Sequence, residues 1–269
     1  MAIADSLGID AYKPAQIAAR VEEAGVAKAR LAIVPLTVLG ILAGAFIAFG
    51  AMLFTLVMTD HGLGFGPARL LGGMVFALGL ILVVIAGAEL FTGNNLIVMA
   101  RIDGRIGTGE LVRNWVVVFL ANFIGAFGAA ILVALSGTLA MHGGAVMETA
   151  AAIARSKVAL SVDQAFFRAI LCNALVCLAV WLSFAARDVA GKILAIVPPV
   201  AAFVALGFEH SIANIYFIGL ALVTGVEGVT LAGFVVNLLV VTIGNVIGGG
   251  GLVGLAYWFC YRMGAPDSA

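Results

Sequence analysis

Two strings in this sequence place polar chemistry inside otherwise apolar surroundings: Glu89-Leu-Phe-Thr-Gly-Asn94 and Glu209-His-Ser-Ile-Ala-Asn214. Both read Glu-x4-Asn. The second adds His210, the side-chain type whose charge changes nearest neutral pH and which most readily passes protons. The first adds the hydroxyl of Thr92. An imidazole, a hydroxyl and amides suit the holding of a small anion and the transfer of a proton to it. A lone His can equally be a packing residue that donates to a backbone carbonyl. Glu89 and Glu209 fit best as caps that accept backbone N–H bonds, because an ionised carboxylate facing a passage repels an anion.

The elements that carry these strings are membrane spans. Six apolar runs, at about 31–58, 70–100, 112–136, 166–186, 193–223 and 229–261, exceed the ~20 residues that cross a ~30 Å hydrocarbon core. The second and fifth runs are longer than one crossing requires, and each has a polar patch near its middle. Polar groups at that depth line a cavity or pathway, and non-helical backbone is tolerated there only where protein or water covers it. Gly87 and Gly93 flank the first patch, Gly207 precedes the second, and Pro198-Pro199 weakens the helix before it. Both runs are therefore expected to be broken helices whose ends meet near the midplane, with free N–H groups at the restart drawing an anion.

The two halves echo one another. Asn114, Asn122, Gly125 and Gly128 in the third run have the spacing of Asn237, Asn245, Gly248 and Gly251 in the sixth. The four asparagines are expected to bond helix to helix, and Gly40-x3-Gly44, Gly244-x3-Gly248 and Gly250-x3-Gly254 to bring helices close together. Three spans per half imply opposite insertion of the halves. The fold expected is an all-α integral membrane protein of six transmembrane helices, built as two inverted three-helix repeats. Residues 1–30 form an amphipathic N-terminal helix on the membrane face, 31–262 the membrane domain and 263–269 a short tail. Ten of the 14 Lys and Arg residues fall on the side of the N-terminus, which predicts both termini in the cytoplasm.

Composition excludes most other classes. The chain has 269 residues, 64% of them hydrophobic and 10% charged, with a net charge of zero and a mean hydropathy of +1.19. That leaves no room for a soluble enzyme domain and offers no basic stripe for nucleic acid. Residues 1–30 lack the pattern of a signal peptide. Cys172, Cys177 and Cys260 are odd in number and lie inside apolar runs, which argues against disulfides. His61 and His142 fall in loops, so no paired ligands for a metal or haem are expected, and no cofactor. Neither an activated serine motif nor paired pore histidines, nor Asn-Pro-Ala at the breaks, occurs.

From Val21 to Tyr261 the chain resembles the formate/nitrite transporter family, with a leaning to its formate branch. The strings at 88–94 and 207–214 carry the resemblance, together with Cys172-Asn-Ala-Leu-Val-Cys-Leu-Ala179 and Val241-Thr-Ile-Gly-Asn-Val-Ile-Gly-Gly249. The polar Gly93-Asn-Asn95 departs from the formate pattern. The resemblance implies an aquaporin-like protomer, a homopentamer with one pore per protomer, and transport of formate, with nitrite or hydrosulfide as alternatives. It implies that His210 and Thr92 face each other across the pore. It implies constrictions at Leu90 and Phe91 and at Phe76 and Phe203, with Lys157 and Asn173 near the histidine. In the mechanism expected, Lys157, Asn173 and Asn214 attract the anion and His210 protonates it so that the neutral acid crosses the apolar ring. Bare anion conduction with His210 as a fixed donor is the alternative.

Overall fold

The computed structural model describes residues 10–264. The ends of the expected N-terminal unit and tail, residues 1–9 and 265–269, lie outside the described residues. Every regular element among the described residues is helical.

Helix α1 (Pro14–Ala29) starts on a proline at its first turn, where no N–H is needed. It leads into α2 (Ile33–Val57) and α3 (Phe65–Gly87), whose last turn is π-helical. A break at 88–92 is followed by a 3₁₀ turn (Gly93–Ile97) and the short α4 (Val98–Ile102). Next come α5 (Thr108–Leu135), α6 (Ala145–Val158) and α7 (Val162–Ala185). Helix α8 (Val189–Ala205) is capped by the Asp188 carboxylate, which accepts from the Gly191 N–H at 2.7 Å. A second break at 206–210 precedes α9 (Ser211–Val223), and α10 (Leu231–Tyr261) closes the chain.

Five helices are long and apolar enough to cross a membrane: α2, α3, α5, α7 and α10. The fifth run is divided into α8 and α9, of 17 and 13 residues. The two breaks are unequal, since the second run restarts only as a 3₁₀ turn and five helical residues. Pro198 and Pro199 do not end α8, which runs through both. The chain leaves each helix instead at a glycine with positive φ, Gly87 (+82°) and Gly207 (+71°), a conformation open to glycine without steric cost.

The apolar face of the amphipathic α1 is covered by protein. Ile17, Ala18 and Val21 are buried among Leu96, Met99, Trp181 and Val253. Beside them, the fully buried Glu22 pairs with Arg105 at 3.0 Å and with Arg262 at 2.6 Å. Large apolar residues remain exposed on the outer faces of α2, α3, α5, α7, α8 and α10, among them Val34, Leu70, Leu120, Leu132, Phe167, Leu194 and Leu239. A soluble chain would not leave such faces open.

Glycines set the closest helix approaches. A Cβ on Gly125 of α5 would fall on the Ile41 carbonyl oxygen of α2, and one on Gly248 of α10 on the Ile170 carbonyl oxygen of α7. Each pair repeats the other. Backbone cannot yield there as a side-chain end can, so overpacking is severe. Gly125→Ala is expected to destabilise the fold by about 3 kcal/mol. Gly128→Ala, with open space around it, should be neutral. Thermal unfolding in detergent, read by tryptophan fluorescence, checks the contrast, and equal midpoints for the two variants would refute it.

Candidate functional site

Each break is held by one asparagine whose amide serves three backbone groups. Asn122 Nδ2 donates to the carbonyls of Gly40 (2.7 Å) and Glu89 (2.8 Å), and its Oδ1 accepts the Phe91 N–H (2.9 Å). Asn245 Nδ2 donates to the carbonyls of Ala169 (2.8 Å) and Glu209 (3.0 Å), and its Oδ1 accepts the Ser211 N–H (2.9 Å). These amides replace the helical bonds lost where the backbone unwinds.

The carboxylates do not cap. Glu89 and Glu209 were expected to accept backbone N–H groups; they accept side-chain donors instead. Lys28 Nζ donates to Glu89 at 2.6 Å and Lys157 Nζ to Glu209 at 3.0 and 3.2 Å. The Oε2 of each carboxylate also takes an amide, Asn94 Nδ2 (2.7 Å) on Glu89 and Asn214 Nδ2 (2.6 Å) on Glu209. Those amides donate in turn to Asn114 and Asn237, which bond the carbonyls of Lys28 and Lys157. An unpaired carboxylate in this setting would be far costlier than the paired one. Lys28 was read only as part of the N-terminal helix, yet it is the counterpart of Lys157. The spacing hides the correspondence, because Lys28 and Lys157 are 129 residues apart while the two Glu-x4-Asn strings are 120 apart.

The cap of α9 is His210. Its Nδ1 accepts the Ala213 N–H at 3.1 Å. In the neutral ring the proton therefore sits on Nε2, which lies 2.9 Å from Thr92 Oγ1. Thr92 thus accepts, and its own O–H proton has no acceptor among the described residues. The imidazole also stacks on Phe203, with centroids 6.0 Å apart.

Three cavities follow one another here. A vestibule of about 360 Å³ is lined by Lys157, Arg69, Arg168, Phe76, Phe203 and His210 among others. A second, of about 350 Å³, is lined by Lys28, Arg20, Lys192, Leu80, Leu90 and Gly93 among others. Between them lies a void of about 10 Å³, lined by Ile47, Phe76, Leu80, Leu90, Val176, Val200, Phe203 and His210. Phe76 and Phe203 meet edge to face at 5.8 Å and border the first vestibule. Leu80 and Leu90 border the second. The void holds about one water molecule, and His210 supplies the polar atoms of its lining. Each vestibule carries one Lys–Glu pair and two further cations, Arg69 and Arg168 in one, Arg20 and Lys192 in the other.

Several expected contacts are redirected. Phe91 lines none of the three cavities and packs edge to face on Trp115 and Phe119; Leu80 stands beside Leu90 instead. Asn173 spends Nδ2 on the Thr92 and Asn245 carbonyls and on Asn95 Oδ1. Asn214 spends Nδ2 on Glu209 and Asn237. Neither amide has an N–H left for an anion. Asn173 ties the first break to α10, Asn214 the second break to α10, and the Cys177 thiol donates to the Thr92 carbonyl. Lys157 reaches the vestibule but is neutralised by Glu209, so the surplus positive charge belongs to Arg69 and Arg168. All three cysteines are free thiols.

Comparison with known proteins agrees with this geometry. The profile of the formate/nitrite transporter family matches residues 15–259. The chain is 45% identical to the uncharacterized transporter YrhG of Bacillus subtilis, over 93% of this chain and 94% of that one. It is 41% identical to the formate channel FocA of Escherichia coli, over 94% and 95% of the two chains. Among solved structures, a pentameric formate channel with formate bound superposes with a TM-score of 0.77 at 39% identity, covering 84% of this chain and 96% of that one. An FNT family ion channel superposes with a TM-score of 0.84 at 30% identity, covering 91% and 98%. With its apolar helices, paired breaks and near-complete coverage of these relatives, this multi-pass membrane chain belongs to the formate/nitrite transporter family.

Proposed function

We propose that this chain forms a passage for small monovalent anions across a bacterial cell membrane, with formate as its main substrate. One passage runs through each protomer of a homopentamer, and the protomer is six crossings arranged as two inverted repeats with both termini in the cytoplasm. The observation that carries this reading is the succession of two cation-rich vestibules separated by an apolar void with one imidazole in its wall. Positive vestibules concentrate anions and repel cations. A void this small passes only a stripped ion or a small neutral molecule. Its relatives, a formate channel and a pentameric formate channel with formate bound, point to the substrate and the assembly.

Removing water from a carboxylate inside an apolar ring costs several kcal/mol. Proton transfer removes most of that cost. In the proposed relay, His210 gives its Nε2 proton to formate at the void, formic acid crosses the Leu80–Leu90 side, and the acid dissociates in the opposite vestibule. Thr92 orients the ring and offers its unclaimed O–H to the substrate. The relay has a structural condition: to give a proton and remain neutral, His210 must first hold one on Nδ1, which breaks the bond from the Ala213 N–H. That bond favours a second reading, in which His210 stays a neutral, fixed donor and the anion passes unprotonated.

His210→Asn separates the two readings. The Asn side chain can still accept the Ala213 N–H and donate toward Thr92, but it does not titrate. In proteoliposomes the relay predicts at least a tenfold loss of formate uptake driven by an inward proton gradient. Uptake with the wild-type pH dependence in that variant rejects the relay and leaves the fixed donor. Running the wild type with formate, nitrite and hydrosulfide at two pH values ranks the anions, and a preference for nitrite or hydrosulfide overturns formate as main substrate.

The buried ion pairs give a second expectation. The Lys157 and Glu209 side chains are 12% and 5% exposed, against 32% and 7% for Lys28 and Glu89. Lys157→Met should destabilise the protomer by about 3 kcal/mol and Lys28→Met by about 1 kcal/mol. The double variant Lys157→Met/Glu209→Gln should recover part of the first loss. Denaturation midpoints in detergent report all three, and no recovery in the double variant would mean that the pair is not the source of the loss.

A further inference from the structure

Helix α8 ends at the second break with its last carbonyls exposed toward the vestibule, and two arginines from different helices converge on them. Arg69 of α3 donates through Nε to the Ala205 carbonyl (3.2 Å) and through Nη2 to the Val204 carbonyl. Arg168 of α7 donates through Nη1 to the Gly207 carbonyl (3.4 Å). Carbonyls at a helix C-terminus carry partial negative charge, and the guanidinium groups offset it. Without them the mouth of an anion passage would present an electronegative rim. Arg69 is also held over the Phe54 ring, 5.4 Å from its centroid.

The capping bonds use only part of each guanidinium. Nη1 of Arg69, and Nε and Nη2 of Arg168, have no hydrogen-bond partner among the described residues. Both arginines line the same vestibule of about 360 Å³. The third cation there, Lys157, is taken by Glu209. In the other vestibule Arg20 and Lys192 make no hydrogen bond to the backbone of the first break, so a guanidinium pair fixed on a helix end is particular to this mouth.

Resting on the anion-passage reading, we propose that Arg69 and Arg168 form a separate waiting site for a small planar anion, a carboxylate such as formate, ahead of the Phe76–Phe203 constriction. The carbonyl bonds fix the guanidinium planes, and the remaining N–H groups form a fork of the shape a carboxylate accepts. Both arginines are only partly buried, so the site holds its ligand weakly. Its effect is to raise anion occupancy next to His210, where the substrate loses its water. The two arginines are affinity-setting residues and take no part in proton transfer.

The test is formate influx into proteoliposomes as a function of formate concentration and ionic strength, for the wild type, Arg168→Gln and Arg168→Lys. Arg168 makes one long capping bond, so its loss leaves the break with Arg69, Asn245 and Lys157 in place. Arg168→Gln is expected to raise the half-saturating formate concentration about fivefold with little change in the saturated rate. It should also flatten the fall of influx with added salt. Arg168→Lys keeps the charge and loses the fork, and should keep the salt dependence with an intermediate half-saturation. Thermal midpoints measured in parallel identify a purely structural role, which would lower the saturated rate and the midpoint together. If half-saturation and salt dependence match the wild type in Arg168→Gln and in Arg69→Lys/Arg168→Gln, the waiting site is overturned while the passage stands. A wild type that carries no formate, nitrite or hydrosulfide removes the passage reading and the waiting site with it.

Discussion

Two stretches of unwound backbone lie inside a protein whose outer faces are apolar, and every N–H and C=O in them needs a partner that bulk water cannot supply. Asn122 and Asn245 meet much of that need, each with one amide that accepts the N–H of Phe91 or Ser211 and donates to the carbonyl of Glu89 or Glu209 and to a neighbouring helix. An amide accepts at one atom and donates two N–H bonds from another in a single plane at fixed separation, without charge. A carboxylate would leave the carbonyls unpaired, and a hydroxyl could not reach both sides. The charged pairs Lys28–Glu89 and Lys157–Glu209 stand on this framework, and so does the orientation of His210.

The repeat explains why the void is apolar and why it holds one imidazole. Three related pairs line it: Ile47 with Val176, Leu80 with Val200, and Leu90 with His210. The first two pairs are aliphatic on both sides. Only in the third do the halves diverge, a leucine in one and the histidine in the other. The void is thus a cage of equivalent aliphatic positions in which a single substitution supplies the chemistry. Phe76 and Phe203 add a second departure, since they close the side toward Lys157 and leave the other side to Leu80 and Leu90.

The helix that precedes the first span is also part of the site. Helix α1 gives Lys28 to Glu89 just as α6 gives Lys157 to Glu209. Its apolar face is spent on the 3₁₀ turn and the ends of α7 and α10. Glu22 then fixes it to Arg105 and Arg262, near the loop after α4 and the end of α10. An interfacial reading of α1 follows naturally from its apolar stripe, but burial against protein satisfies the same stripe, and the counter-charge at its end decides between the two.

Length and apolarity of the runs, the two Glu-x4-Asn strings and the matched asparagine–glycine series were sufficient to give a membrane protein with two polar interruptions and asparagines that bond between helices. These are local or periodic properties, and lipid-facing helices leave them plainly written. What the sequence alone left undecided was the direction in which polar side chains point. Asn173 and Asn214 carry the donors an anion needs, and only the packed structure shows those donors already taken. Glu89 and Glu209 lie at helix breaks where capping is expected, and only the approach of α1 and α6 brings a lysine to each. Phe91 and Leu80 are both apolar residues near the first break; the chain after Gly87 carries Phe91 to Trp115, while Leu80, on α3 before that glycine, faces the void. Residue type and spacing set what a side chain is able to do; the packing of distant helices set which of those capacities were still unspent at the passage.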